Sequence, residues 1–223
     1  MQELLSKLSE CIEFGKINLD SPYPPQLKGQ EGADEITRKA LEEGIAPQDI
    51  LTSGLMPGME KVGIKFRENK IFVPQVLMAA RAMSVAMLHL KPFFISGAVK
   101  QKGTFILGTV SGDLHDIGKN LVSMMLEGNG YKVVDLGTDV GSDKFISALK
   151  ENPGATVGLS ALLTTTMANM EKITKEIKEA IPETTVTIGG APVNEDFCLE
   201  IGADFYSPDP QGVVEFMNKK LAS

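Results

Sequence analysis

The residues best equipped for chemistry lie in one short stretch, Ser111-Gly112-Asp113-Leu114-His115-Asp116-Ile117-Gly118-Lys119-Asn120. His115 has a carboxylate two residues before it and a glycine three after. One ring nitrogen of such an imidazole is free to ligate a metal while the other donates to the carboxylate. That second bond sets tautomer and orientation and makes the ligand more electron-donating. Gly118 would let the backbone pass close beneath a large planar ligand. The plainer reading is a loop histidine beside an aspartate that caps the next helix. His89 is the one other histidine in the chain. A lone histidine cannot build a metal site from protein alone, so a metal here must take its other ligands from a cofactor, which points to a macrocycle.

The surrounding pattern shows what must hold this stretch in place. Apolar β-type runs at Thr104–Val110, Lys132–Asp135, Ala155–Leu159 and Thr185–Ile188 each precede a helical segment. A weaker run, Asp204–Tyr206, precedes a helix at Gln211–Ala222. Alternation of this kind predicts a doubly wound, flavodoxin/Rossmann-like parallel sheet of five strands, with ligands at the carboxyl ends of the strands. His115 then falls on the loop at the end of the first strand.

The first ninety residues read differently. Leu4, Leu5, Leu8, Cys11 and Ile12 recur on one helical face, Asp34–Glu43 stops at Gly44, and Pro47 opens another helix. Phe72–Leu90 is a long alanine- and methionine-rich helical pattern with Pro74 in its first turn. These predict a four-helix bundle over residues 1–92, a linker over 93–101 and the α/β domain over 102–223. The proline-rich stretch Asn18–Gly32 is a loop by composition.

Bulk properties exclude several classes. A net charge of −7 disfavours a general nucleic-acid surface. No apolar run approaches the roughly 20 residues that span a bilayer, and the amino terminus lacks the long apolar stretch of a secretory signal. Cys11 and Cys198, far apart and without CxxC spacing, read as two reduced thiols of a cytoplasmic protein.

The string Asp113-Leu114-His115-Asp116-Ile117-Gly118 resembles the D-x-H-x-x-G motif of base-off/His-on cobalamin-binding domains. Ser160-Ala161-Leu162 resembles that family's S-x-L, and Gly189-Gly190 its G-G, and all three fall on predicted strand ends. The resemblance implies a cobalamin or related corrinoid whose nucleotide tail leaves the cobalt and enters the core, with His115 as the cobalt ligand. Asp113 would be its hydrogen-bond partner and Thr166 the hydroxyl that extends the relay. The loop residues Gly112, Asp116, Ile117 and Gly118 would border the cofactor. Ser160 and Thr164 would meet the buried base, with Gly189 and Gly190 beside its channel and Leu162 a further cofactor contact; the run Thr164–Thr166 also reads as an ordinary N-cap cluster.

Leu55–Met59, Val62-Gly63, Lys65-Phe66 and Phe72–Ala80 are similar to the helical cap of corrinoid methyl carriers and of methionine synthase. Phe72 would cap the corrin. Met78, with Ala79 and Met83, is a second candidate for that face or part of the bundle core. The Asn18–Gly32 loop is longer than the resemblance leads one to expect.

The two halves together resemble the stand-alone corrinoid proteins of three-component methyltransferase systems. Such a protein carries a methyl group on cobalt from a substrate-specific methyltransferase, acting on a methylamine, methoxy compound, methanol or betaine, to a second methyltransferase acting on a thiol or tetrahydropterin. A reductive activation protein is a further implied partner, and the carrier turns over nothing alone. The cap would swing aside about the linker to admit each partner. The alternatives are a cobalamin-dependent sensor, which would need a DNA-binding headpiece not seen here, and the small subunit of a cobalamin-dependent mutase, which would need no such cap. A response-regulator-like phosphoacceptor lacks its acidic residues where Thr109-Val110-Ser111-Gly112 stand.

Overall fold

The amphipathic spacing at the amino terminus forms α1 (Gln2–Phe14), which buries Leu5, Leu8, Cys11 and Ile12. It is followed by α2 (Ala33–Glu42), a single turn α3 (Pro47–Asp49), a wide-turn segment Ile50–Leu55, α4 (Met56–Arg67) and α5 (Val73–Ile95). The wide turns run into Pro57, which has no N–H to give to an ordinary helical ladder. Gly58 lets α4 lie close on α1, since a Cβ there would meet Ile12 Cβ and Ser9 O at 2.6 Å. The computed structural model describes residues 2–222, and these helices form one of its two compact units, which runs to Gln101 and includes Gly128–Gly130.

Asn18–Gly32 is an ordered loop with a 3-10 turn at Pro25–Leu27. Fully buried Lys16 donates from Nζ to Ser21 O at 2.7 Å, and Glu35 accepts from Leu19 N and Gly32 N at 3.0 and 2.9 Å. Helix α5 continues through Pro92 to Ile95, so residues 93–95 of the expected linker are helical.

One expectation is corrected here. Val73–Ile95 is long and apolar enough to cross a membrane, the one such helix among the described residues. Arg81, His89 and Lys91 interrupt its apolar residues in sequence and hide this, because the property belongs to the helix average. Its Val76, Ala79, Ala82, Met83, Ala86 and Leu90 are buried within the unit, where α5 packs on α1, α2 and α4.

The second unit is the predicted doubly wound fold. Its strands are β1 (Thr104–Thr109), β2 (Lys132–Asp135), β3 (Thr156–Ser160), β4 (Val186–Gly189) and β5 (Phe205–Tyr206), all parallel in the order β2-β1-β3-β4-β5. Its helices are α6 (Ile117–Gly128), α7 (Ser142–Glu151), α8 (Met167–Ala180), α9 (Glu195–Glu200) and α10 (Pro210–Ala222). The order reverses at β1, so the chain leaves β1 and β3 in opposite directions and opens a crevice at their carboxyl ends.

Alternation along the strands separates two faces. Ile106, Val157, Leu159, Val186 and Ile188 join Phe145, Ala148 and Leu149 of α7, Met170, Ile173 and Ile177 of α8 and Cys198 of α9 in one filled core. The opposite face carries the register row Asp135, Leu107, Gly158, Thr187 and Phe205, then the row Thr109, Ser160 and Gly189.

Candidate functional site

Strand β1 ends at Thr109, and the next nine residues form the loop and first turn that carry His115. Three elements hold this loop. From β1 itself, the fully buried Thr109 donates its hydroxyl to His115 O at 2.9 Å. From the β2–α7 connection, Asp139 N donates to Asp113 O at 3.1 Å, and Asp139 Oδ1 accepts from Gly112 N at 2.7 Å. From α8, the Asn169 amide donates to Ser111 O at 2.7 Å. Gly112 turns the chain at φ +83°, a left-handed conformation that glycine adopts without strain.

Asp113 is the centre of the arrangement and is fully buried. Its Oδ1 accepts from His115 N at 3.1 Å and faces His115 Nδ1 at 2.8 Å. Its Oδ2 accepts from Leu162 N at 2.8 Å, Leu163 N at 3.2 Å and the Thr166 hydroxyl at 2.9 Å. Burial alone would disfavour the carboxylate. The bonds from Leu162 N, from His115 through its backbone and ring, and from Thr166 outweigh it and hold the carboxyl well below its usual range. An ionised carboxylate only accepts, so the proton of the neutral imidazole sits on Nδ1. Nε2 is left with a lone pair and no hydrogen-bond partner among the described residues, on a side chain that is 52% exposed.

Beside this ring opens a cavity of about 730 Å³ between the open sheet face and helices α6 and α10. Its floor includes Leu107, Gly158, Ser160 and Gly189, with Lys119 and Val213 on its walls. Two glycines keep it open, because a Cβ at Gly118 would meet nothing within 4 Å and one at Gly189 only Ser207 O at 3.5 Å. Gly190 has a different reason. At φ +135° its added Cβ would fall 1.8 Å from Ala161 O, so the β3 and β4 loops can lie together only with glycine there. The rim is apolar and uncovered, with Leu114, Ile117 and Leu162 exposed by 73, 68 and 44%.

Most of the residues singled out from sequence therefore converge. His115, Asp116, Ile117, Gly118, Ser160, Leu162, Gly189 and Gly190 line the cavity, and Asp113 and Thr166 stand behind the histidine. Gly112 lies in the same loop, where its N–H is held by Asp139. Thr164 is exposed at the start of a 3-10 turn and does not line the cavity; of the three consecutive threonines, the one turned inward is Thr166. Phe72 and Met78 belong to the helical unit. Phe72 is 62% exposed at the N-cap of α5, and Met78 Cβ packs against Gly15. Ala79 and Met83 are buried in that unit and Met78 is half-buried, so the three do not share one face.

Sequence reasoning missed Lys119, Asp135 and Asp139. Lys119 is buried on the cavity wall, donates to Asn120 Oδ1 at 2.8 Å and forms an ion pair with Asp135, whose other oxygen accepts from Gly137 N at 2.9 Å. The pairing of Leu107 with Asp135 puts that carboxylate in a cavity-face row, a signal available only once register is known.

Comparison with known proteins gives this geometry its context. Residues 103–212 and residues 30–91 match two family profiles, each described as a B12 binding domain. Over 217 residues the chain is 40% identical to the trimethylamine corrinoid protein of Methanosarcina barkeri, an alignment covering 96% of this chain and 94% of that one. A cobalamin-binding protein from Desulfitobacterium hafniense has a similar structure, with a TM-score of 0.75 and 30% identity over 96% of this chain and 97% of that chain. The methanol:cobalamin methyltransferase complex of Methanosarcina barkeri contains a chain with a TM-score of 0.79 and 31% identity, covering 99% of this chain and 80% of that one.

Proposed function

The chain belongs to the family of corrinoid (cobalamin-binding) proteins, and from that premise we propose that it holds its corrinoid base-off through His115 and carries a methyl group between methyltransferases. The observation that carries this reading is the His115 ring, fixed from behind at Nδ1 by a buried carboxylate, with Nε2 free beside a cavity of about 730 Å³. The residues fit such a group. Gly118 and Gly189 leave the space that side chains would fill, and the uncovered Leu114, Ile117 and Leu162 supply an apolar rim for a macrocycle.

In this reading His115 Nε2 would ligate the cobalt, and the cavity would receive the nucleotide tail, with Ser160 offering its hydroxyl to the base. The bound corrinoid supplies a cobalt centre that accepts and releases the methyl group. The protein's share is orientation and electrostatics. Asp113 keeps the imidazole in the tautomer that can ligate and balances the charge of the metal-bound ring. Leu162 N, Leu163 N and Thr166 hold Asp113 ionised with its Oδ1 toward the ring. This frame would keep the ring aimed at the metal.

The helical unit would act as the cap, with Phe72 and Met78 as its candidate corrinoid contacts. The partners are a substrate-specific methyltransferase, a second methyltransferase and a reductive activation protein. Similarity to the trimethylamine corrinoid protein and to a chain of the methanol:cobalamin methyltransferase complex supports this class. Against a sensor or a mutase subunit, those same two relatives align along nearly the whole chain.

The test is reconstitution of the purified protein with hydroxocobalamin beside His115→Ala. Wild type is expected to retain about one corrinoid per chain with a histidine-ligated visible spectrum, and the variant to lose that signature. Folded wild-type protein that retains no corrinoid would refute the reading.

A further inference from the structure

The connection from β2 to α7, Leu136–Gly141, runs along the end of β1, with Thr109 N donating to Gly137 O at 3.0 Å and Val140 N to Thr109 O at 2.9 Å. In its middle Asp139 adopts φ +55°, one of two non-glycine residues with positive φ among the described residues. L-residues avoid that region, and aspartate tolerates it better than most. Strain of this kind persists only where surrounding contacts demand it. Here the contacts are both with the histidine loop: Asp139 N donates to Asp113 O, and Asp139 Oδ1 accepts from Gly112 N. At its β2 end the connection is anchored by Asp135, which accepts from Gly137 N and pairs with buried Lys119.

We propose that Asp139 is a positioning residue for the cobalt ligand: its carboxylate clamps Gly112 and so fixes the loop that aims His115 Nε2 at the metal. The inference rests on the proposed ligation by His115 and adds a residue that touches neither ring nor cavity. Asp113 is buried and sets which nitrogen is presented. Asp139 is exposed and sets where the loop, and so the ring, stands.

The test compares Asp139→Gly with Asp139→Asn. Both replacements tolerate positive φ, but only asparagine keeps the acceptor, so their difference reports the side-chain bond and not backbone strain. In the protein without cofactor, amide exchange at Gly112 should quicken about tenfold in Asp139→Gly and stay within about threefold of wild type in Asp139→Asn, as for loss of one charge-assisted bond. With cob(II)alamin bound to protein labelled with 15N-histidine, the two-line nitrogen splitting in the paramagnetic resonance spectrum counts histidine-ligated molecules, apart from the three-line splitting of the cofactor's own base. That fraction should fall several-fold in Asp139→Gly, at equal corrinoid content, and be kept in Asp139→Asn. Wild-type exchange in Asp139→Gly would overturn the clamp. Faster exchange with an unchanged ligated fraction would overturn its role in positioning. If wild type binds no cob(II)alamin, the ligation reading falls, positioning of a cobalt ligand falls with it, and the exchange rates still decide whether the clamp exists.

Discussion

The two faces of the sheet are made by the same five strands and have opposite fates. On one face Ile106, Val157, Leu159, Val186 and Ile188 meet side chains from α7, α8 and α9 in one buried core. On the other, at the same strand ends, stand Gly158, Ser160, Thr187 and Gly189, and a cavity remains. Burying a branched aliphatic side chain contributes about 1.5–3 kcal/mol, so the open face forgoes stabilisation that the filled face collects. The contrast separates two tasks within one layer. One face holds the sheet together, and the other keeps space for a group the chain does not itself provide.

The largest expected effect breaks the filled face. Ile106→Ala removes a fully buried side chain from that core and should lower unfolding free energy by about 3 kcal/mol. Urea denaturation measures it, and corrinoid affinity under native conditions should stay within about twofold because Ile106 is not part of the cavity wall. A comparable loss of affinity would mean that the two faces are not independent.

The converse change fills the open face. Gly189→Leu should weaken corrinoid binding at least about 100-fold, about 2.7 kcal/mol, while shifting stability by less than about 1 kcal/mol. Titration calorimetry and thermal unfolding on one sample separate the two. Unfolding of this variant at low temperature would show that the cavity floor carries packing after all.

The smallest effect sharpens the contrast without touching either face. Cys198 lies in the filled core, and burial raises its thiol; Cys11 is buried in the helical unit, where burial pushes its thiol up to about 12. Neither should react with a neutral thiol reagent until the structure opens. Modification of Cys198, followed by mass spectrometry, should quicken in Ile106→Ala and keep its wild-type rate in Gly189→Leu, with Cys11 as an internal reference. Faster Cys198 labelling in the glycine variant would tie the faces together.

Much of this was legible in the residues. The strand runs were found within a residue or so of their ends, because apolar β-branched stretches between turn residues are a local signal. Single-residue offsets still mattered: β3 ends at Ser160 and β4 at Gly189, which pairs those two residues across the sheet edge. Asp113 and His115 were legible because their bond spans two positions of one loop. Among Thr164, Thr165 and Thr166, the family resemblance singled out Thr166 as the relay hydroxyl, whereas the local pattern does not say which one turns inward, since that depends on the phase of a 3-10 turn. Met78 was grouped with Ala79 and Met83 by spacing, but neighbours one apart are rotated by about 100° around a helix, and packing on Gly15 decides where Met78 goes.

The chain's own pattern thus determined which elements form, in which order, and that a histidine backed by a carboxylate sits at a strand end. These are short-range matters of periodicity, turn chemistry and neighbouring side chains. Tertiary structure alone decided that the backbone N–H groups of Leu162 and Leu163, about 50 positions away in sequence, would join Thr166 on one oxygen of Asp113. It also decided that Asp139 would reach back to Gly112 and that one sheet face would stay open. The reason is physical. A parallel sheet brings the ends of distant strands to one edge, and the contacts made there depend on register and twist, which no local stretch of sequence carries.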